Sequence, residues 1–123
     1  REVARRSIST AGAPAAIRLT PDRREITADG RDLSYVLAEV VDERGNLCPD
    51  ATDRITFAVD GAGRNVGVDN GLQTDVEPMK SDNRRASHGK AMLIVQNDGR
   101  SGTISVTATA SGLKTAETTI TAN

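Results

Sequence analysis

Apolar residues in this chain recur every second position, the period of a β-strand, and nowhere at the three-to-four spacing of a helix face. In 103–110, TISVTATA, Ile104, Val106 and Ala108 alternate with Thr103, Ser105, Thr107 and Thr109. Such a strand has one dry and one wet face. Segment 33–42, LSYVLAEVVD, is different. Val36, Ala38 and Val40 share one face, while Tyr35, Leu37 and Val41 populate the opposite one. The same doubling occurs in 91–97, where Leu93 and Val95 are opposed by Met92 and Ile94. A two-layered sheet protein has one interior, so apolar residues on both faces predict a cover over the outer face. Segment 72–90 could supply that cover, as could another domain or chain.

Turn signals arrive about every 8 to 15 residues and delimit the remaining strands. Segments 16–20 and 24–28 read as one strand broken at Pro21, and 54–60 as another. A short strand is expected near 64–68, and 114–122 closes the chain. Segment 72–90 is polar, contains Pro78, and reads as a long loop or a weak edge strand. The expected architecture is an all-β, immunoglobulin-like β-sandwich of about seven or eight strands. Residues 1–14 fall outside it. The stretch 10–15, TAGAPA, has the small residues and proline of a junction, so 1–14 reads as the remnant of a preceding domain with its linker, or else as a tail. The sandwich itself is 15–123.

The length, 123 residues, suits one domain with a sizeable core. Charge is balanced, with 16 Lys+Arg against 17 Asp+Glu, which gives no footprint for nucleic acid or an anionic membrane surface. The arginine pairs Arg5-Arg6, Arg23-Arg24 and Arg84-Arg85 lie mostly near acidic residues and read as solvated surface. No run approaches the roughly 20 apolar residues of a membrane span. The N-terminus has charge but no apolar stretch of a signal peptide, as in a mature secreted protein or an excised domain. Cys48 is the sole cysteine, so an internal disulfide is impossible. Tyr35 and Phe57 are the only aromatics. Sites for sugars or bases stack them on flat rings, and this chain has little to stack with.

Candidate chemistry is sparse. The stretch GVDNG, residues 67–71, has two readings. As a calcium loop it would use Asp69, Asn70 and nearby Asp75, three side chains for an ion that takes six to eight oxygens. As a turn, Asn70-Gly71 would supply the positive φ values of a type I′ hairpin. The turn is the favoured reading, so no cofactor is expected. His88, the single histidine, adjoins Ser87, but strand neighbours point to opposite faces, so it reads as a loop anchor. Cys48 reads as a buried hydrophobe. Carboxylate pairs such as Asp29/Asp32 and Asp50/Asp53 lack the aromatic platforms of a glycosidase cleft and read as surface.

Several segments are familiar in combination. They are D-G-x-D-L-x-x-V at 29–36, V-D-x-x-G-N-x-C-P at 41–49, G-V-D-N-G at 67–71 and H-G-K at 88–90. In this order they resemble the C-terminal immunoglobulin-like domain of bacterial glycoside hydrolase family 2 enzymes, chiefly β-galactosidases of the Bacteroides type. The resemblance covers about 15–123. More loosely, VVDERGN resembles a motif of the bacterial immunoglobulin-like repeats of invasin and intimin. The family resemblance implies a non-catalytic accessory domain, because the catalytic glutamates of such enzymes lie on a separate barrel. It implies the parent's other domains as partners and a periplasmic or secreted setting; the two-faced strands then make Tyr35, Leu37 and Val41 the interface candidates. A carbohydrate-binding module or an adhesion module is the alternative.

Overall fold

The computed structural model describes residues 12–69 and 82–123. Among them are nine strands and no helix: β1 (Ala16–Pro21), β2 (Glu25–Ile26), β3 (Leu33–Val41), β4 (Arg54–Gly61), β5 (Gly63–Asp69), β6 (Asn83–Arg85), β7 (Lys90–Asn97), β8 (Gly102–Thr109) and β9 (Ala116–Ala122). The excess over seven or eight comes from β2 and β6, which are two and three residues long. One sheet has the order β1-β3-β7-β5, the other β2-β9-β8-β4-β6. Their inner faces meet in one core. Val36, Val40, Val68, Leu93 and Val95 of the first sheet pack on Ile55, Phe57, Ile104, Val106 and Ile120 of the second. All pairings are antiparallel except β2 with β9.

Of the chain's crossings between the sheets, two are marked in the sequence. Pro21 ends β1 instead of breaking it, and the crossing to β2 falls on Asp22–Arg24. Ser34 Oγ donates to Arg23 O at 2.7 Å and Tyr35 N to Asp22 Oδ1 at 2.8 Å, which pins the crossing to β3. The other marked crossing is Gly61-Ala62-Gly63, between β4 and β5. Gly61 has φ +93, and a Cβ there would lie 2.1 Å from Thr103 O. Only glycine allows that approach of two backbones.

Segment 72–90 contains β6 and a hairpin, so the expectation of a weak edge strand fits its described part, 82–90. Arg84 corrects the reading of the arginine pairs as surface. β6 pairs with β4 so that Arg84 lies opposite Ile55, on the inner face. It is 3% exposed and donates to Val68 O at 3.1 Å, which ties the edge of one sheet to the edge of the other.

The two ends of the sandwich have distinct contents. At one, Asp29–Asp32, the Gly61–Gly63 crossing and Asn97–Arg100 lie together. At the other lie Gly12–Ala15, where the chain comes in, the loop 42–53, the turn 87–90 and the hairpin 110–115.

Candidate functional site

The motifs that carry the family resemblance resolve into turn braces. In the first, Asp29 Oδ1 accepts from Arg31 N and Asp32 N, each at 2.8 Å, and Gly30 has φ +78. Asp32 takes a two-pronged contact from Arg23, at 2.7 and 2.8 Å, and a bond from Thr27 N. The Arg23 guanidinium, seconded by Thr27 N, holds the Asp32 carboxyl well below the usual carboxylate range. Asp29 is also lowered, by the Arg31 and Asp32 amides. This carboxylate pair is therefore committed to backbone and arginine, as a general acid or base is not.

Asn97 links three turns at that end. It is fully buried; its Oδ1 accepts from Gly30 N and Gly99 N, and its Nδ2 donates to Ala62 O and Arg100 O. All four of its hydrogen-bonding positions are thereby filled. No pattern in the sequence singled it out, because NDG reads only as a turn.

At the opposite end, Asp42 organises the second motif. Its carboxylate accepts from Gly12 N, Arg44 N and Asn46 N at 2.8 to 2.9 Å, and Gly45 has φ +85. The Gly12 amide first, then those of Asn46 and Arg44, bring the Asp42 pKa down to about 2. Cys48 is buried with its Sγ 3.6 Å from Gly12 O, and burial pushes the thiol up, away from a reactive thiolate.

H-G-K is a two-residue hairpin turn. Ser87 and Lys90 exchange backbone hydrogen bonds, and His88 (φ 54) and Gly89 (φ 79) both have the positive φ of a type I′ turn. Since His88 sits in a turn and not in a strand, Ser87 is not directed away from it: Ser87 Oγ lies 3.2 Å from His88 Nδ1. The contact is local and exposed, and among the described residues no carboxylate orients the imidazole as a catalytic triad requires.

Of the calcium candidates, Asn70 and Asp75 lie outside the described residues. Asp69 ends β5, opposite Met92. Two residues earlier, Gly67 closes a β-bulge that begins at Asn65, and its amide bonds Asn65 Oδ1. Among the described residues no three His, Cys, Asp or Glu side chains gather as metal ligands.

The interface candidates divide. Tyr35 pairs with Ile94 and Leu37 with Met92 across β3 and β7, in the middle of the outer face of the four-stranded sheet. Leu37, Met92 and Ile94 are half-buried, and Tyr35 is 41% exposed, the one large hydrophobic side chain among the described residues that is exposed. The Arg18–Glu39 ion pair and the Arg64–Gln96 hydrogen bond flank this patch. Val41 does not join it. It is 5% exposed, because the loop 42–48 doubles back to bridge Leu47 to Val41 and covers it from within the chain.

The fold has close counterparts. A glycosyl hydrolase family 2 member from Bacteroides cellulosilyticus superposes with a TM-score of 0.90 at 37% identity, over 93% of this chain and 15% of that one. The D00-D0 domain of intimin superposes with a TM-score of 0.67 at 14% identity, over 94% of this chain and 50% of that one, a likeness of fold alone. A β-galactosidase of Bacteroides ovatus is 52% identical over 114 residues, which are 93% of this chain and 13% of that enzyme. The chain thus spans about an eighth of the length of this relative. Residues 17–119 match the model of glycoside hydrolase family 2 C-terminal domain 5. With braced turns, a two-layered core and this match over most of its length, the chain belongs to the family of glycoside hydrolase family 2 C-terminal domains.

Proposed function

We propose that this chain is the non-catalytic accessory domain of a β-galactosidase, and that it packs against the rest of that enzyme through the outer face of its four-stranded sheet. The observation that carries this is the patch of Tyr35, Leu37, Met92 and Ile94, apolar side chains on the face turned away from the core. Isolated apolar residues on a surface are ordinary; a contiguous set flanked by polar pairs, here Arg18–Glu39 and Arg64–Gln96, marks a contact. The committed carboxylates support a structural role: Asp29, Asp32 and Asp42 spend their charge on backbone amides and Arg23. A periplasmic or secreted setting goes with the parent in this reading, and no cofactor does. Calcium is the cofactor to test, by comparing the melting temperature in Ca²⁺ and in a chelator; equal values are expected.

The decisive experiment is the double substitution Tyr35→Glu with Leu37→Lys in the full-length enzyme. We expect a lower melting temperature or a weaker oligomer with kcat on a small galactoside unchanged. Unchanged stability and assembly would overturn the proposal. A carbohydrate-binding role is the second reading, favoured by the exposure of the Tyr35 ring, which offers one stacking platform. Retardation of the chain by a galactose-containing polysaccharide in affinity electrophoresis, abolished by Tyr35→Ala, would establish it instead.

A further inference from the structure

The end of the sandwich where the chain comes in carries a groove of about 700 Å³, lined by Pro14, Ala16, Asp42, Glu43, Leu113 and Lys114 among others. Small residues and Leu113 line it together with Asp42, and two exposed charges of opposite sign, Glu43 and Lys114, complete the lining. The segment leading into β1 is laced across this end. Gly12 is held at both of its peptide groups, its N–H by Asp42 Oδ2 at 2.8 Å and its carbonyl by the Cys48 thiol at 3.6 Å. Ala15 N donates to Val41 O at 2.9 Å, on the four-stranded sheet. Lys114 N donates to Ala15 O at 3.0 Å, from the hairpin of the five-stranded sheet, and Ala16 bridges Lys114 in parallel. Residues 12–16 therefore act as a strap bonded to both sheets, with the groove beside it.

We infer that this groove is the seat of the domain immediately upstream in the parent enzyme, and that the strap makes the joint between the two rigid. The inference rests on the accessory-domain reading. Its occupant follows from direction and length. The family model describes a C-terminal domain, and the Bacteroides ovatus relative is matched over 13% of its length, so the bulk of such an enzyme lies upstream. Upstream sequence reaches the described residues at Gly12, whose amide is held by Asp42, a lining residue of the groove. The two hydrogen bonds at Gly12 fix the path of the chain on this side of the joint and so tether what precedes it to this end of the sandwich. The paired charges ask for a loop that presents a cation toward Glu43 and an anion toward Lys114 around a small apolar contact.

Hydroxyl-radical footprinting, read by mass spectrometry, compares this chain alone with the full-length enzyme. Pro14 and Leu113 report the groove; Tyr35 and Met92 report the sheet face. Several-fold slower labelling of Pro14 and Leu113 in the full-length enzyme is expected. Equal rates at both would overturn the inference, and protection of Tyr35 and Met92 in that same experiment would show that the accessory reading survives without it. Protection at the groove with none on the sheet face would sustain the seat and sink the docking face. Glu43→Arg with Lys114→Glu, both exposed in the chain alone, is expected to restore labelling of Leu113 in the full-length enzyme without changing its rate in the isolated chain. Protection of Leu113 that persists in this variant would count against the seat.

Discussion

Gly89 and Gly99 both have positive φ, +79 and +98, and their surroundings could hardly differ more. A Cβ on Gly89 would fall 2.3 Å from Cys48 O, while one on Gly99 would meet nothing within 4 Å. Gly99→Ala therefore tests backbone strain alone, about 1–2 kcal/mol. Gly89→Ala adds a collision with rigid backbone and should cost about 3 kcal/mol or more. Urea denaturation of the two variants checks this; equal losses would mean that the loop bearing Cys48 yields. The aspartates make a second prediction at this scale. Asp29, Asp32, Asp42 and Asp98 all have carboxyls held below their ordinary value, by amides or by arginine. A depressed folded-state pKa contributes stability that is complete above the unfolded value of about 4 and is lost as pH falls toward the folded one. The melting temperature should thus be flat above pH 5 and fall below pH 4. Asp42, with its pKa near 2, accounts for part of that decline. Asp42→Asn should lower the melting temperature at pH 7 and make the acid limb shallower; an acid limb as steep as before would remove Asp42 from the account.

Elements were legible in proportion to how strictly their residues alternate. Ile104, Val106 and Ala108 were placed on the inner face by period alone, and all three are fully buried. β3 was legible too, including its double apolar face, but the burial of Val41 was not, since a loop bridge between Leu47 and Val41 leaves no periodic trace. β6 was nearly invisible. Three residues carry no measurable period, and Arg84 in its centre puts a guanidinium where the pattern asks for an apolar side chain. The type I′ turn was expected at Asn70-Gly71, outside the described residues, while the turn at His88-Gly89 was read only as a loop anchor. Histidine at φ 54 is an uncommon choice for a position that asparagine or glycine fills more readily. His88→Asn should therefore be neutral or stabilise by about 0.5 kcal/mol, and His88→Val should destabilise by about 1–2 kcal/mol, because a β-branched side chain resists that conformation. Thermal melts distinguish the two; a loss of stability in His88→Asn would mean that the Ser87 contact matters more than the backbone.

For the molecule as a whole, the core and the braces are what tie the described residues together. There is no disulfide to form from one cysteine, and each sheet is built from pairings between distant parts of the chain. β3 pairs with β7, bringing Leu33 to Gln96, and β2 with β9, bringing Ile26 to Ala122. Such pairings are entropically costly before they are rewarded, so sandwiches fold slowly, in about milliseconds to seconds. The buried set from Val36 to Ile120 runs without interruption between the sheets, which makes one cooperative unit. The chain freed from its parent should unfold in a single denaturant transition, refold with one dominant phase on that slow timescale, and give the same midpoint with and without a thiol reductant. Two transitions would mean that the sheets are not one unit. A chain that gave no transition at all, yet melted cooperatively within the full-length enzyme, would mean that the face bearing Tyr35 and the groove beside Leu113 are part of its core and not surfaces laid against it.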